Sequence, residues 1–198
     1  MNSKVIASGT LRERLVCCLM VWMGMLCPVQ AARSADEPPL VSGSDVRVER
    51  NGGGFTVDLT LYAPVAPALA WEVLTDFDRM SEFVPNLISS RVTERNENLI
   101  KVQQKGVAHY GIISVNFESI QETRLSPQRE INAHGVGGNF LRMDSVMLLQ
   151  AEGPGTRLDY HADVLPDFWF PPLIGPTLAR RYIAEQFTGM LREMSRRR

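Results

Sequence analysis

PDFWFPPLIGPTLARRYIAEQFTGMLREM, residues Pro166–Met194, decides how the rest of this 198-residue chain must be arranged. It opens as an aromatic loop punctuated by Pro166, Pro171 and Pro172. It continues with apolar residues at Ile174, Leu178, Ile183, Phe187, Met190, Leu191 and Met194. Those steps keep one broad stripe on one side of a helix of 3.6 residues per turn. Arg180, Arg181, Glu185, Arg192 and Glu193 fall mostly on the other side, with Arg181 and Glu185 spaced as an i,i+4 pair. So wide a stripe requires a large concave partner. Between residues 43 and 165 the pattern reads as strands, so the expected partner is a curved antiparallel sheet.

The strands are legible as alternation. Val46 and Val48 begin one, Gly52-Gly53-Gly54 turns it, and Phe55, Val57, Leu59 and Leu61 alternate through the next. The glycine run lacks the Lys-Ser/Thr of a phosphate-binding loop and reads as a hairpin turn. Pro67 suits the first turn of a short helix with Leu69, Ala70, Val73 and Leu74 on its apolar side, and Asp78 is placed to cap a second, Arg79 to Phe83. From Leu87 the period becomes two. Strands are expected at 87–95, 98–108, 111–121, 128–135, 139–151 and 155–165, with turn residues between them. Ile100, Val102, Gln104, Gly106 and Ala108 share a dry face, as do Ile113, Val115 and Phe117, then Ile131, Ala133 and Gly135, and finally Leu158, Tyr160, Ala162 and Val164.

The first residues stand apart. Lys4, Arg12 and Arg14 precede an apolar run from Leu15 to Leu26, and Val29-Gln30-Ala31 supplies the small residues of a cleavage site. Residues 1–31 therefore read as a signal peptide, residues 32–44 as a flexible leader, and residues 45–195 as the folded domain. The apolar run is far short of a membrane span. Cleavage would remove all three cysteines, Cys17, Cys18 and Cys27, and with them any disulfide or thiolate metal site. The location implied is secreted or periplasmic. The segment carries three basic residues and Glu13, so the formal charge of −1 (21 basic, 22 acidic) becomes −3 (18 basic, 21 acidic). With no basic excess, nucleic acid is not an expected partner. Arg196-Arg197-Arg198 reads as a solvated helix end complementing the dipole, with transient contact to a membrane surface as the alternative.

Candidate chemistry is sparse. His109, His134 and His161 fall on wet faces without metal-ligand spacing. Ser114 and Ser145 lack a nucleophile elbow, and no helix follows His134-Gly135-Val136-Gly137-Gly138, so no dinucleotide site is expected. Asp76 and Asp78 read as capping and turn residues. No cofactor is implied. Gln104 and Tyr160 are the polar exceptions on the inner face and need partners in protein, water or ligand.

Ala63 to Leu87, APVAPALAWEVLTDFDRMSEFVPNL, resembles the opening of the START-like, polyketide cyclase/dehydrase and lipid-transport superfamily of helix-grip proteins. Gly138-Asn139-Phe140, Gly155-Thr156-Arg157-Leu158 with Tyr160, and Leu165-Pro166-Asp167-Phe168 with Pro171 extend the resemblance over residues 45–195. One departure is Met147, in a region where members often carry Trp. The resemblance implies an α+β fold: six to seven antiparallel strands curved round the long C-terminal helix, and two short helices after the first long strand. It also implies an apolar cavity between sheet and helix. Trp71, Phe83, Ile100, Val102, Gln104, Ile113, Val115, Phe117, Ile131, Tyr160, Phe168, Trp169, Ile183 and Phe187 are the residues expected to face that cavity, with Trp169 at its entrance. Three functions fit the resemblance. One is an exported carrier for a lipid, isoprenoid or quinone. The second is a cyclase or dehydrase using Tyr160 or Gln104 to orient a polyketide-like substrate. The third is an envelope interaction module whose cavity is filled by its own side chains. An acid/base enzyme needs a titratable group in the pocket, and Tyr160 is a poor base, so the carrier is the leading expectation.

Overall fold

In the computed structural model, residues 41–110, 113–167 and 175–198 are described, with the backbone alone for Tyr110 and Ile113. The expected signal peptide, most of the expected leader, and Phe168, Trp169 and Ile174 lie outside those residues.

Alternation becomes eight strands: β1 (Arg47–Asn51), β2 (Gly54–Ala63), β3 (Leu87–Asn96), β4 (Leu99–Tyr110), β5 (Ile113–Ser126), β6 (Glu130–Gly138), β7 (Phe140–Glu152) and β8 (Gly155–Pro166). They form one sheet in the order β1-β2-β8-β7-β6-β5-β4-β3, antiparallel throughout. Strands β3 to β8 are a meander, and a crossover places β8 beside β2. The sheet has one strand more than the upper number implied by the resemblance. At its end lies β1, pairing with β2 alone across a turn at Gly52 and Gly53, which covers the edge of β2. Val46 and Val48 drop into the core, 2% and 4% exposed.

Curvature has local causes. Register shifts interrupt β3/β4, β5/β6 and β7/β8, and bulges of this kind bend a strand and increase its twist. Gly138 closes β6 at φ 104°, where a side chain's Cβ would stand 2.1 Å from the Glu118 carbonyl oxygen. Only glycine lets the chain cross β5 there. Asn139 then secures the corner, its N–H donating to Glu118 O at 2.9 Å and its Oδ1 accepting from Glu118 N–H at 2.8 Å.

Helix α1 (Pro67–Leu74) has Pro67 in its first turn and buries Ala70, Val73 and Leu74. A 3₁₀ turn at Phe77–Arg79 leads into α2 (Met80–Phe83). The long helix α3 (Gly175–Arg196) lies on the sheet and against α1 and α2, burying Leu178, Phe187, Leu191 and Met194. Gly189 allows the close approach, because a Cβ there would sit 2.4 Å from Phe83 O and 2.5 Å from the Pro85 ring.

Three expectations are corrected here. Glu193 is not on the wet side of α3. Its side chain is 6% exposed, because Arg196 and Arg197 fold back onto it at 2.6 and 2.7 Å. The terminal arginines are consequently more than a solvated end: Arg197 also reaches Asp76 at 2.6 Å and Glu72 at 3.1 Å, and stands 5.6 Å over the Phe83 ring. Asp76 and Asp78 make no capping bond. Asp76 pairs with Arg197, and Asp78 accepts the N–H of Val92 at 2.7 Å, tying the short helices to β3.

Candidate functional site

Between the concave face and α3 is a cavity of about 260 Å³. Along its floor runs a row of small side chains. Register places Val57, Ala162, Ser145, Ala133 and Thr123 side by side across β2, β8, β7, β6 and β5. The flanking rows are bulkier: Tyr160, Met147 and Ile131 on one side, Phe55, Val164 and Met143 on the other. Residues of all three rows line the cavity, with α3 above them. Leu178, Tyr182, Ile183, Gln186, Phe187 and Met190 form the roof, and Leu74, Phe77 and Met80 contribute from the short helices.

Two aromatic contacts fix the roof to the floor. Tyr160 and Phe187 are 5.2 Å apart and tilted, and Phe117 and Tyr182 meet edge-to-face at 5.3 Å.

Seven of the residues expected from sequence line this cavity: Gln104, Val115, Phe117, Ile131, Tyr160, Ile183 and Phe187. Trp71 and Phe83 do not; they pack against the hydrophobic core around α1. Ile100 and Val102 share the inner face with Gln104 but are fully packed, 1% and 2% exposed, and form no part of the wall. The side chain of Ile113, and Phe168 and Trp169 entirely, lie outside the described residues.

Sequence reasoning missed most of the polar wall. Besides Gln104 and Tyr160 it contains Gln121, Thr123, Ser145, Tyr182 and Gln186. A signal was present: Leu178, Tyr182, Gln186 and Met190 are four residues apart and form one row of α3, but the two polar members were hidden in a search for apolar stripes. Gln104 Nε2 donates to Ser90 Oγ at 3.1 Å and to Met80 Sδ at 3.4 Å, and Gln121 Nε2 donates to Met143 Sδ at 3.2 Å. Gln186 Nε2 donates to Tyr182 Oη at 2.5 Å.

Among the described residues no Asp, Glu, Lys, Arg or His lines the cavity. Its titratable groups are two phenols. Burial pushes Tyr160 up to about 12, with a bond to Ser145 opposing the rise. Burial, then the nearness of Tyr160 and Glu185, raises Tyr182 well above the usual phenol range. Both remain protonated O–H donors near neutrality. Among the described residues no group of three or more His, Cys, Asp or Glu is placed to hold a metal ion. The three histidines lie on the exposed face, two in carboxylate pairs: His134 with Asp144 at 2.5 Å, and His161 with Asp58 at 2.7 Å. Among the described residues no helix is long and apolar enough to cross a membrane.

Residues 63–185 match the family described as polyketide cyclase / dehydrase and lipid transport. Solved structures share the fold at low identity. A START superfamily protein from Mycobacterium smegmatis is 14% identical with TM-score 0.61, covering 73% of this chain and 99% of its own. The Zhui aromatase/cyclase from Streptomyces sp. R1128 is 16% identical with TM-score 0.60, covering 72% and 94%. A STAR-related lipid transfer protein from Xanthomonas axonopodis is 9% identical with TM-score 0.57, covering 76% and 98%. No curated protein resembles the sequence closely enough to count as a match.

Proposed function

We propose, for a chain that belongs to the polyketide cyclase/dehydrase and lipid-transport family, that it is an exported carrier of an uncharged hydrophobic small molecule such as a lipid, isoprenoid or quinone. The observation that carries this reading is the cavity wall, apolar apart from neutral amides and hydroxyls. A hollow of about 260 Å³, close to the small end of ligand pockets at about 300 Å³, supports a small guest over a self-filled core. Similar folds include both an aromatase/cyclase and a lipid transfer protein, so the fold alone does not choose between chemistry and carriage. The wall favours carriage. General acid–base catalysis needs a group that exchanges its proton near the working pH, whereas Tyr160 and Tyr182 are both held far above it.

Export rests on the order of charged, apolar and small residues in positions 1–31. A product cut after Ala31 would reach the periplasm or the medium, where a greasy compound needs a protein to cross water. Transient contact with a membrane would then load or unload it.

Native mass spectrometry of the protein recovered from an exporting host tests both parts. The expected species is a chain beginning at Ala32, carrying a neutral guest that leaves on collisional activation. A product retaining Cys27, or one covalently bearing a lipid, would refute cleavage at this site. A chain that emerges bare, and takes up no apolar compound added afterwards, would refute carriage.

A further inference from the structure

We propose that the cavity holds its guest by an oxygen acceptor, gripped from the roof by Tyr182 and Gln186 and from the floor by Tyr160 and Ser145, and so selects neutral carbonyl compounds. This rests on the carrier reading above and goes further, assigning the polar part of the guest and the side chains that read it.

The argument is a count of protons. Tyr182 has one O–H and Gln186 has two N–H, and a single bond of 2.5 Å joins the two side chains. Whichever way the amide is turned, that bond consumes one donor, and at least one further O–H or N–H remains. On the floor Tyr160 and Ser145 bring two further hydroxyls to the wall, and even where one donates to the other an O–H remains. All four side chains belong to the cavity wall. Tyr160 is near enough to Tyr182 to push that phenol's ionisation further up. Their rings are held by Phe187 and Phe117, so the surplus donors are presented from fixed positions.

A guest that brings an acceptor satisfies these donors in an interior where an unpaired one is costly. Ketones, esters and quinones do so without adding a proton of their own. A hydrocarbon leaves the donors unpaired. A carboxylate offers acceptors but must leave water for a site with no Lys, Arg or His on its wall among the described residues. The expected order is therefore carbonyl compound, then hydrocarbon, with the acid excluded.

Three probes sharing one ring system separate these cases: menadione, methylnaphthalene and naphthoate. Binding is measured by calorimetry on the intact mature chain, on Tyr182→Phe and on Tyr160→Phe, alongside the infrared carbonyl band of bound menadione. Menadione should bind about five- to tenfold more tightly than methylnaphthalene, the range of one or two neutral hydrogen bonds, and its carbonyl band should move to lower frequency. Each Phe variant should lose most of that preference while keeping its affinity for methylnaphthalene, which also shows that the variant is folded. If the two neutral probes bind equally and the band does not move, the donor assignment is overturned while apolar carriage stands. Naphthoate binding as tightly as menadione would overturn the neutral-guest selectivity. If none of the three binds, carriage falls and the donor site with it.

Discussion

Replacing Glu193 with Gln tests what locks the roof of the cavity in place. The carboxylate is near the end of α3 with 6% of its side chain exposed, and it receives Arg196 Nη2 at 2.6 Å and Arg197 Nε at 2.7 Å. The Arg196 hydrogen bond is the largest influence; burial opposes it, and Arg197 adds to it. Together they lower the acid from its ordinary 4.5 to about 2. At about 1.4 kcal/mol per tenfold change in acidity, the ionised form contributes on the order of 3 kcal/mol to folding. The folded value is depressed, so this contribution is complete above pH 4.5 and is lost as pH falls through about 2. A glutamine keeps part of the hydrogen bonding but not the charge, so Glu193→Gln should cost on the order of 2–3 kcal/mol at neutral pH. Urea unfolding of both proteins across a pH series measures the gap, which should close steadily in acid. A gap below about 0.5 kcal/mol at neutral pH would show that the carboxylate adds nothing at this end of α3, and one that persists unchanged in strong acid would show that its charge is not the cause.

Truncating Phe187 to Ala removes a side chain 4% exposed that packs on Tyr160; unfolding in denaturant should show a loss on the order of 3–5 kcal/mol, as for other buried aromatics, and a loss below about 0.5 kcal/mol would mean that α3 is peripheral to the core. His161 should titrate above the ordinary histidine value of 6.5, chiefly through its hydrogen bond to Asp58, and NMR of the ring protons should show that rise shrink in Asp58→Asn. Because this folded value is raised, the pair supports folding below the unfolded value and loses its effect as pH rises through the folded one; an unchanged titration in the variant would refute the pairing.

Periodicity was sufficient for the fold because each element obeys one period over most of its length. The expected strand at 155–165 is β8 at Gly155–Pro166, and that at 98–108 is β4 at Leu99–Tyr110. The largest shift in a strand end is in β5, which runs on to Ser126 rather than stopping near residue 121. Long-range charge pairing was not legible. Arg197 finds Asp76 and Glu72 from 121 and 125 residues away, and a run of three arginines at a chain end carries no local sign of such partners. The capping expectation for Asp78 failed for a similar reason: the acceptor was taken by Val92, on a strand that packs beside the 3₁₀ turn.

The cavity marks a deeper boundary between what a sequence states and what only register supplies. Alternation says that Ala133, Ser145 and Ala162 belong to inner or outer faces of three different strands, but says nothing of which residues stand side by side. Along the cavity floor Ala133 pairs with Ser145 and Ser145 with Ala162, so that small residues coincide in one row. A slip of two residues between β7 and β8 would keep every inward residue inward, yet would set Met147 beside Ala162 and break that row. Polarity follows the same rule. Tyr160 and Ser145 are not direct partners; Tyr160 pairs with Met147 and Ser145 with Ala162, so the two hydroxyl-bearing residues are diagonal neighbours, an arrangement that no single-strand pattern encodes. The face, its dryness and the helix that covers it are therefore local properties of the sequence, while the volume of the cavity and the chemistry of its wall are properties of the pairing.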